Sequence, residues 1–262
     1  MKKPASPAWG IVSWVIYIAI ILGIGFFTDV DYDKLGESTT SLFQAVVLPV
    51  AIASIAMALM ATWLGWWKPA LRDRQAAKHK WPIIATVCVV AIAAINTINA
   101  PFGDLGAQWI LYAAAGTLLV GFGEEMANRG LLLVGFRGRL GEGWVWLLTS
   151  VMFGIMHAGN ALNGQSIGDT MQQVGFTMVA GTIYYITRRV TGTLIWAMLV
   201  HAFWDFGSIA FAQSSADAPA IVFILNLLSY LAALVGVYFV IKGAKEKLGA
   251  SEGSAEEAPA TA

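Results

Sequence analysis

Six ionisable side chains stand inside long apolar segments of this sequence, where such groups are costly. They are Glu124, Glu125, Arg129, His157, His201 and Asp205. An Asp or an Arg at the centre of a membrane helix costs about 2.5–3.5 kcal/mol on insertion scales, and such a group by default marks a functional site in the bundle interior. Carboxylates and imidazoles are the side chains that most often move protons and stabilise developing charge in catalysis.

The spacing of these residues suggests a role for each. Glu125 and Arg129 are four residues apart and can pair along one helix face. Glu124 points about 100° away from Glu125, which leaves it free toward a cavity, so we predict it as the general base on a water molecule. His201 and Asp205 also share a face. The imidazoles and a protonated Asp205 would donate hydrogen bonds to an oxyanion, or Asp205 would simply orient His201. The set predicts amide hydrolysis.

Composition places this chemistry in a membrane. The chain has 262 residues, of which 58% are hydrophobic and 12% charged, whereas soluble domains average about 25% charged residues. The formal net charge is zero, which gives no basic footprint for nucleic acid. The single cysteine, Cys88, excludes an intramolecular disulfide and a thiolate zinc cluster. We therefore predict a polytopic integral membrane protein.

Apolar runs long enough to cross the bilayer predict an all-α bundle of about eight transmembrane helices. The runs are 9–27, 42–67, 82–100, 108–138, 143–161, 172–187, 192–212 and 219–241. Residues 1–242 form the predicted transmembrane domain. Residues 243–262 are rich in Ala, Glu, Gly and Ser and predict a disordered cytoplasmic tail.

Lysine and arginine lie almost entirely in alternate loops, which by the positive-inside rule places both termini in the cytoplasm. Counted from the cytoplasmic ends, Glu124, His157 and Asp205 lie at depths of about 21–22 Å and His201 at about 15 Å. Provided that the fourth span is one long helix, three helices deliver these groups to one layer. Without organelle-targeting signals, the design suggests a prokaryotic cell membrane.

Three motifs occur in order on separate predicted helices: residues 124–130 match EExxxRG, 153–157 match FxxxH, and 201–205 match HxxxN/D. This ordered trio resembles the CPBP family of intramembrane proteases, also known as the CAAX protease and bacteriocin-processing family. That family includes the CAAX prenyl endopeptidases and bacterial proteins associated with bacteriocin processing or self-immunity. The resemblance covers about residues 108–207.

The resemblance implies that Glu124 activates the hydrolytic water and that His157 helps to position this water or binds a metal. It implies that His201 and Asp205 complete the catalytic site, while Glu125 and Arg129 support it. Two positions depart from the family. Asn128 stands where a large apolar residue is common, and Asp205 stands where the prenyl-processing enzymes have Asn.

Metal use is open at this point. Two neutral imidazoles and a carboxylate, here His157, His201 and Asp205, form an acceptable catalytic set for a divalent metal such as zinc, as in a metalloprotease. The alternative is a metal-free glutamate mechanism in which the same residues donate hydrogen bonds.

The leading hypothesis is an intramembrane endopeptidase that cuts a membrane-associated or lipid-modified peptide or protein. A second hypothesis is a non-catalytic membrane binding or immunity partner of the same fold. A third is a proton-coupled transporter, since buried Glu, His and Asp residues also build proton relays. The sequence lacks the repeated halves typical of transporters.

Overall fold

The computed structural model describes residues 1–28, 30–246 and 248, and eight long helices make up most of these residues. In chain order they are α1 (Pro7–Thr28), α2 (Thr39–Leu64), α3 (Trp81–Ile98), α4 (Ala107–Arg137), α5 (Glu142–Asn163), α6 (Ile167–Thr191), α7 (Leu194–Phe211) and α8 (Ala220–Ile241). A short helix, Trp67–Leu71, follows α2, and the described residues contain no strand. The predicted all-α membrane bundle is confirmed. Most of the predicted tail, residues 247 and 249–262, lies outside the described residues.

Among the described residues, seven helices are long and apolar enough to cross a membrane, and α6 is the exception. The span expected at 172–187 forms the middle of α6. With 25 residues, α6 is about 37 Å long, so its length is sufficient. Its composition is too polar even between the terminal charges Asp169, Arg188 and Arg189, because glutamines, threonines and glycines make up much of the intervening stretch. Composition therefore supports one span fewer than the eight predicted.

Contacts nevertheless show that α6 joins the two ends of the bundle. Gln173, near the beginning of α6, donates a hydrogen bond to the Tyr32 hydroxyl at 2.7 Å, in the loop between α1 and α2. Arg189, at the other end of α6, pairs with Asp73 at 2.5 Å, in the loop between α2 and α3. These two loops follow consecutive helices and lie at opposite ends of the bundle. A polar helix therefore runs from end to end among apolar ones.

The two ends of the described chain lie together, at the end of the bundle that contains Asp73. We call it the basic end. The Lys2 backbone amide donates to the Leu64 carbonyl at 3.1 Å. Beyond α8, the Glu246 carboxylate accepts a hydrogen bond from Arg189 at 3.0 Å. This arrangement is the one expected of a chain that crosses the bundle an even number of times.

A buried ionic cluster closes the basic end. Its members are Asp73, Arg137, Glu142, Arg188, Arg189 and Glu246. One oxygen of Asp73 lies 2.9 Å from Arg137 and 2.8 Å from Arg188. Burial alone would raise the pKa of Asp73, but the three surrounding guanidinium groups hold it well below its usual range. The cluster ties the loop after α2 to the ends of α4 and α6.

α4 is one continuous helix, as a shared depth for the buried groups requires, and it contains a π-helical segment at Met126–Leu132. This segment begins directly after Glu125. The Asn128 side-chain amide donates to the Glu124 backbone carbonyl at 2.8 Å, an acceptor that an α-helical turn would pair with a backbone amide. Such wide turns occur often at functional sites.

Glycines on α4 allow its neighbours to approach closely. A Cβ atom on Gly121 would collide with the Met198 backbone carbonyl of α7. A Cβ atom on Gly123 would lie 2.6 Å from the Ser54 Oγ atom of α2. Small residues are the usual means of bringing membrane helices together. The close packing of α4 on α7 places the two glutamates beside His201.

Candidate active site

The residues proposed from the sequence meet where α4, α5 and α7 pack together in the interior of the bundle. Glu124 and Glu125 lie at the last α-helical turn before the π-helical segment of α4. His157 begins the final 3₁₀ turns of α5, and His201 and Asp205 lie within α7. Three separate helices thus supply the polar side chains to one site.

His201 lies at the centre of three carboxyl groups. Its Nδ1 atom is 3.2 Å from Oε1 of Glu125. Its Nε2 atom is 3.8 Å from Oε2 of Glu124 and 3.5 Å from Oδ2 of Asp205. Because the Glu125 carboxylate accepts the hydrogen from Nδ1, the Nε2 atom is directed toward the other two acids. The predicted association of Glu124, His201 and Asp205 is present in the structure.

Glu125 and Arg129 form the ion pair that their spacing predicts. Arg129 Nη1 lies 2.9 Å from Glu125 Oε1, and both side chains are fully buried. The Arg129 guanidinium also lies over the Phe153 ring, 3.9 Å from its centroid, a favourable cation–π geometry. Glu125 Oε1 therefore receives both the guanidinium and the imidazole of His201, which fixes the orientation of that ring.

Two aromatic rings hold the imidazoles in place. Tyr184 of α6 stacks on His201, with ring centroids 4.6 Å apart and planes 17° apart. Phe153 meets both imidazoles edge to face, with centroids 5.1 Å from His157 and 5.7 Å from His201. The Phe of the FxxxH motif thus packs against both histidines. The motif alone does not reveal this contact.

His157 has a defined tautomer. Its Nδ1 atom lies 2.8 Å from the Phe153 backbone carbonyl. A carbonyl only accepts hydrogen bonds, so Nδ1 donates the hydrogen and, in the neutral ring, Nε2 presents a lone pair. His157 is therefore suited to accept a hydrogen bond from water.

A small cavity of about 50 Å³ adjoins these residues. Its polar lining residues are Glu124, His157, Tyr17 and Asn160, and its apolar lining residues are Ile18, Ile21, Leu22 and Met156. A cavity of this size is large enough for a water molecule. Oε2 of Glu124 is buried and has no hydrogen-bond partner among the described residues. Asp205 contacts His201 but is not one of the residues that line this cavity.

Asn128 is one of the two positions that depart from the pattern of the family that the sequence resembles, and its side chain connects α1 to the site. It donates to the Glu124 carbonyl and accepts a hydrogen bond from Trp14 Nε1 at 3.1 Å. Its amide nitrogen also lies 3.3 Å from Met156 Sδ. A large apolar residue provides none of these hydrogen bonds, so Asn128 has a specific structural role here.

His157, His201 and Asp205, which the sequence offers as ligands if a metal is used, are not arranged to hold a metal ion in this structure. Across residues 1–28, 30–246 and 248, no group of three or more His, Cys, Asp and Glu side chains is arranged to hold one. The Phe153 ring contacts both imidazoles edge to face, and the Asp205 carboxylate pairs with His201. The chemistry that this geometry supports is therefore that of side chains and water.

Two aromatic contributors to the site, Tyr17 and Tyr184, come from elements that sequence reasoning did not connect to the chemistry. Tyr17 lies in the uniformly apolar α1 and Tyr184 in the polar α6. Neither residue belongs to a motif. The sequence contains one signal for Tyr184. This residue lies in a predicted span that is rich in hydroxyl and amide side chains, and such a composition indicates a helix that faces the protein interior.

Comparison with known proteins agrees with the three motifs. No curated protein matches this chain. A family model does match, over a segment that begins just before α4, ends within α7 and contains all three motifs. Residues 105–207 match the family described as type II CAAX prenyl endopeptidase Rce1-like, and the predicted resemblance to CAAX proteases is thereby confirmed.

Proposed function

We propose that this protein is an intramembrane endopeptidase that hydrolyses a peptide bond with a water molecule activated by Glu124. One observation carries the proposal. Oε2 of Glu124 is buried and lacks a hydrogen-bond partner among the described residues, and the Glu124 side chain lines a small cavity together with His157. The match to a family of membrane endopeptidases supports the reaction class.

The geometry supports a specific course of reaction. A water molecule in the cavity donates one hydrogen to Glu124 and the other to the Nε2 lone pair of His157. As the water oxygen attacks the substrate carbonyl carbon, Glu124 accepts its proton, and the carbonyl electrons move onto the carbonyl oxygen. When the C–N bond breaks, Glu124 returns the proton to the leaving amine. His201 and Asp205 stabilise the charge that develops, and Glu125 with Arg129 holds His201 in position.

The substrate class follows from the location of the site. The cavity lies within a bundle most of whose helices are long and apolar enough to cross a membrane. We therefore propose a membrane-associated substrate, including one anchored by a lipid on cysteine, as the name of the matched family indicates for its members. From the positive-inside rule we also propose that the basic end and both termini face the cytoplasm, in a prokaryotic cell.

A comparison of new peptide termini in membranes tests the proposal. Cells would carry the native protein, Glu124→Gln or Glu37→Gln at equal abundance. Glu37 is exposed in the loop between α1 and α2 and does not line the cavity, so this control makes the same chemical change outside the candidate site. We expect a set of termini with the native protein and with Glu37→Gln that is missing with Glu124→Gln.

The same comparison also tests the alternative hypothesis of a non-catalytic binding role. If all three membranes contain identical termini, the proposed role of Glu124 fails, and a non-catalytic binding role for the same fold becomes the favoured hypothesis. In a purified assay, loss of a general base lowers the rate by about 10²–10⁴-fold.

A further inference from the structure

Tyr17 has a buried hydroxyl group that the proposed mechanism does not use. The side chain is 1% exposed, and its hydroxyl has no hydrogen-bond partner among the described residues. Leaving a buried polar group without a partner costs about 1–3 kcal/mol. A native structure that contains such a group requires an explanation, and a catalytic role is one of the established ones.

The position of this hydroxyl is closely defined. Tyr17 lines the same cavity as Glu124 and His157. A Cβ atom built on Gly123 would lie 3.3 Å from the Tyr17 hydroxyl and 3.0 Å from its Cε2 atom. The hydroxyl is thus beside the backbone of the residue that precedes Glu124, and Gly123 makes room for it.

α1 is held against α4 at this point. Trp14, one helical turn before Tyr17, donates its indole hydrogen to Asn128. Gly10, on the same face, lies close enough to α4 that an added Cβ would be 3.1 Å from the Leu132 carbonyl. The phenol is therefore presented by a fixed helix, and its orientation needs no reorganisation when a substrate arrives.

We propose that the Tyr17 hydroxyl donates a hydrogen bond to the oxyanion that forms when water attacks the substrate carbonyl. No proton is transferred: the carbonyl electrons move onto oxygen, and the O–H group of Tyr17 remains intact while it stabilises the new charge. A donor without a protein partner suits this role, because it breaks no existing hydrogen bond with the protein when it binds the oxyanion. The inference rests on the proposed hydrolysis and adds to it a residue from outside the segment that matches the family.

The test uses the purified full-length protein and an internally quenched peptide with a farnesylated cysteine followed by three residues. Tyr17→Phe removes only the hydroxyl, and Tyr238→Phe, on the exposed side of α8, is the matched control. We expect Tyr17→Phe to lower kcat by about 10²-fold, with KM within about twofold of the native value. Its thermal midpoint should equal or exceed that of the native protein, since an unpartnered hydroxyl is removed.

A phosphinic peptide of the same sequence, which resembles the tetrahedral intermediate, separates the oxyanion role from other roles. Its inhibition constant should rise in Tyr17→Phe by the factor by which kcat/KM falls. An unchanged inhibition constant, an increase in KM alone or full activity in Tyr17→Phe would each overturn the assignment. Glu124→Gln distinguishes the two claims: if it is inactive while Tyr17→Phe is fully active, the inference fails and the proposed function stands. If Glu124→Gln retains activity, the proposed function itself fails.

Discussion

His201 and Glu125 are 76 positions apart in the chain, yet Nδ1 of the histidine lies 3.2 Å from Oε1 of the glutamate. The same oxygen receives the Arg129 guanidinium at 2.9 Å. The second glutamate of the EExxxRG motif therefore contacts the histidine of the third motif directly, and the arginine holds that glutamate from the other side. Glu124 is left to face the cavity. The two adjacent glutamates thus have separate tasks, one toward the protein and one toward water.

Replacing Glu125 should destabilise the whole bundle. Glu125→Gln leaves the fully buried Arg129 guanidinium without its carboxylate, and breaking a buried ion pair by removing one partner costs about 3–5 kcal/mol. The double variant Glu125→Gln/Arg129→Met should recover part of this loss, because it removes the unpaired charge as well. Denaturant unfolding in detergent measures the free energy of unfolding of the single and the double variant. Equal stability of native protein and Glu125→Gln would contradict the prediction.

Asn128→Leu tests the position that departs from the family. Leucine accepts no hydrogen from Trp14 and donates none to the Glu124 carbonyl, so we expect a loss of about 1–3 kcal/mol in the free energy of unfolding. Adding Trp14→Phe to Asn128→Leu removes the unpaired indole N–H and should restore some of the stability. If Asn128→Leu is as stable as the native protein, the hydrogen bonds of Asn128 contribute nothing measurable.

The basic end should weaken in acid. The pKa of Asp73 is held below its usual range, so its ionised form stabilises the folded state above the unfolded pKa of about 3.9. This contribution is lost as the pH falls through that value toward the folded pKa. The free energy of unfolding should therefore fall between about pH 5 and pH 3 more steeply in the native protein than in Asp73→Asn. Parallel pH dependences for the two proteins would show that Asp73 is not the group responsible.

Chelation should leave hydrolysis intact. The described residues contain no group of three or more His, Cys, Asp and Glu side chains that is arranged to hold a metal ion. After dialysis against EDTA, the rate on the farnesylated peptide should stay within about twofold of the starting rate, well inside the changes expected from catalytic groups. A rate that disappears on dialysis and returns with zinc would require a metal-based mechanism in place of the one derived from Glu124.

The apolar runs predicted the helices well, because the length needed to cross a bilayer is a strong constraint on composition. All eight runs correspond to long helices. The polarity of α6 was underestimated because the run at 172–187 itself begins with two glutamines and contains several threonines and glycines. The run also stops just before Arg188, the first of two buried arginines whose partner, Asp73, is distant in sequence. Periodicity reports on one segment at a time and contains no information about such a partner.

The site was predictable to the extent that it depends on spacing within a helix. Four-residue spacing correctly indicated the Glu125–Arg129 pair and the proximity of His201 to Asp205. The contacts of His201 with Tyr184 and Glu125, and the presence of Tyr17 in the cavity, depend on how helices pack. Asn128 likewise contacts Trp14 of α1 and Met156 of α5, and neither contact is visible in the sequence of α4.

The polar character of α6 has a consequence for how the protein enters the membrane. A segment with Asp169, Arg188 and Arg189 partitions poorly into lipid by itself, yet in the folded bundle it packs among apolar helices and its arginines meet carboxylates from other loops. It therefore needs these partners during insertion. We expect α6 to be retained at the insertion machinery until Glu246, its partner beyond α8, has been synthesised, so biogenesis of the candidate active site is completed late, after the last third of the chain has been made.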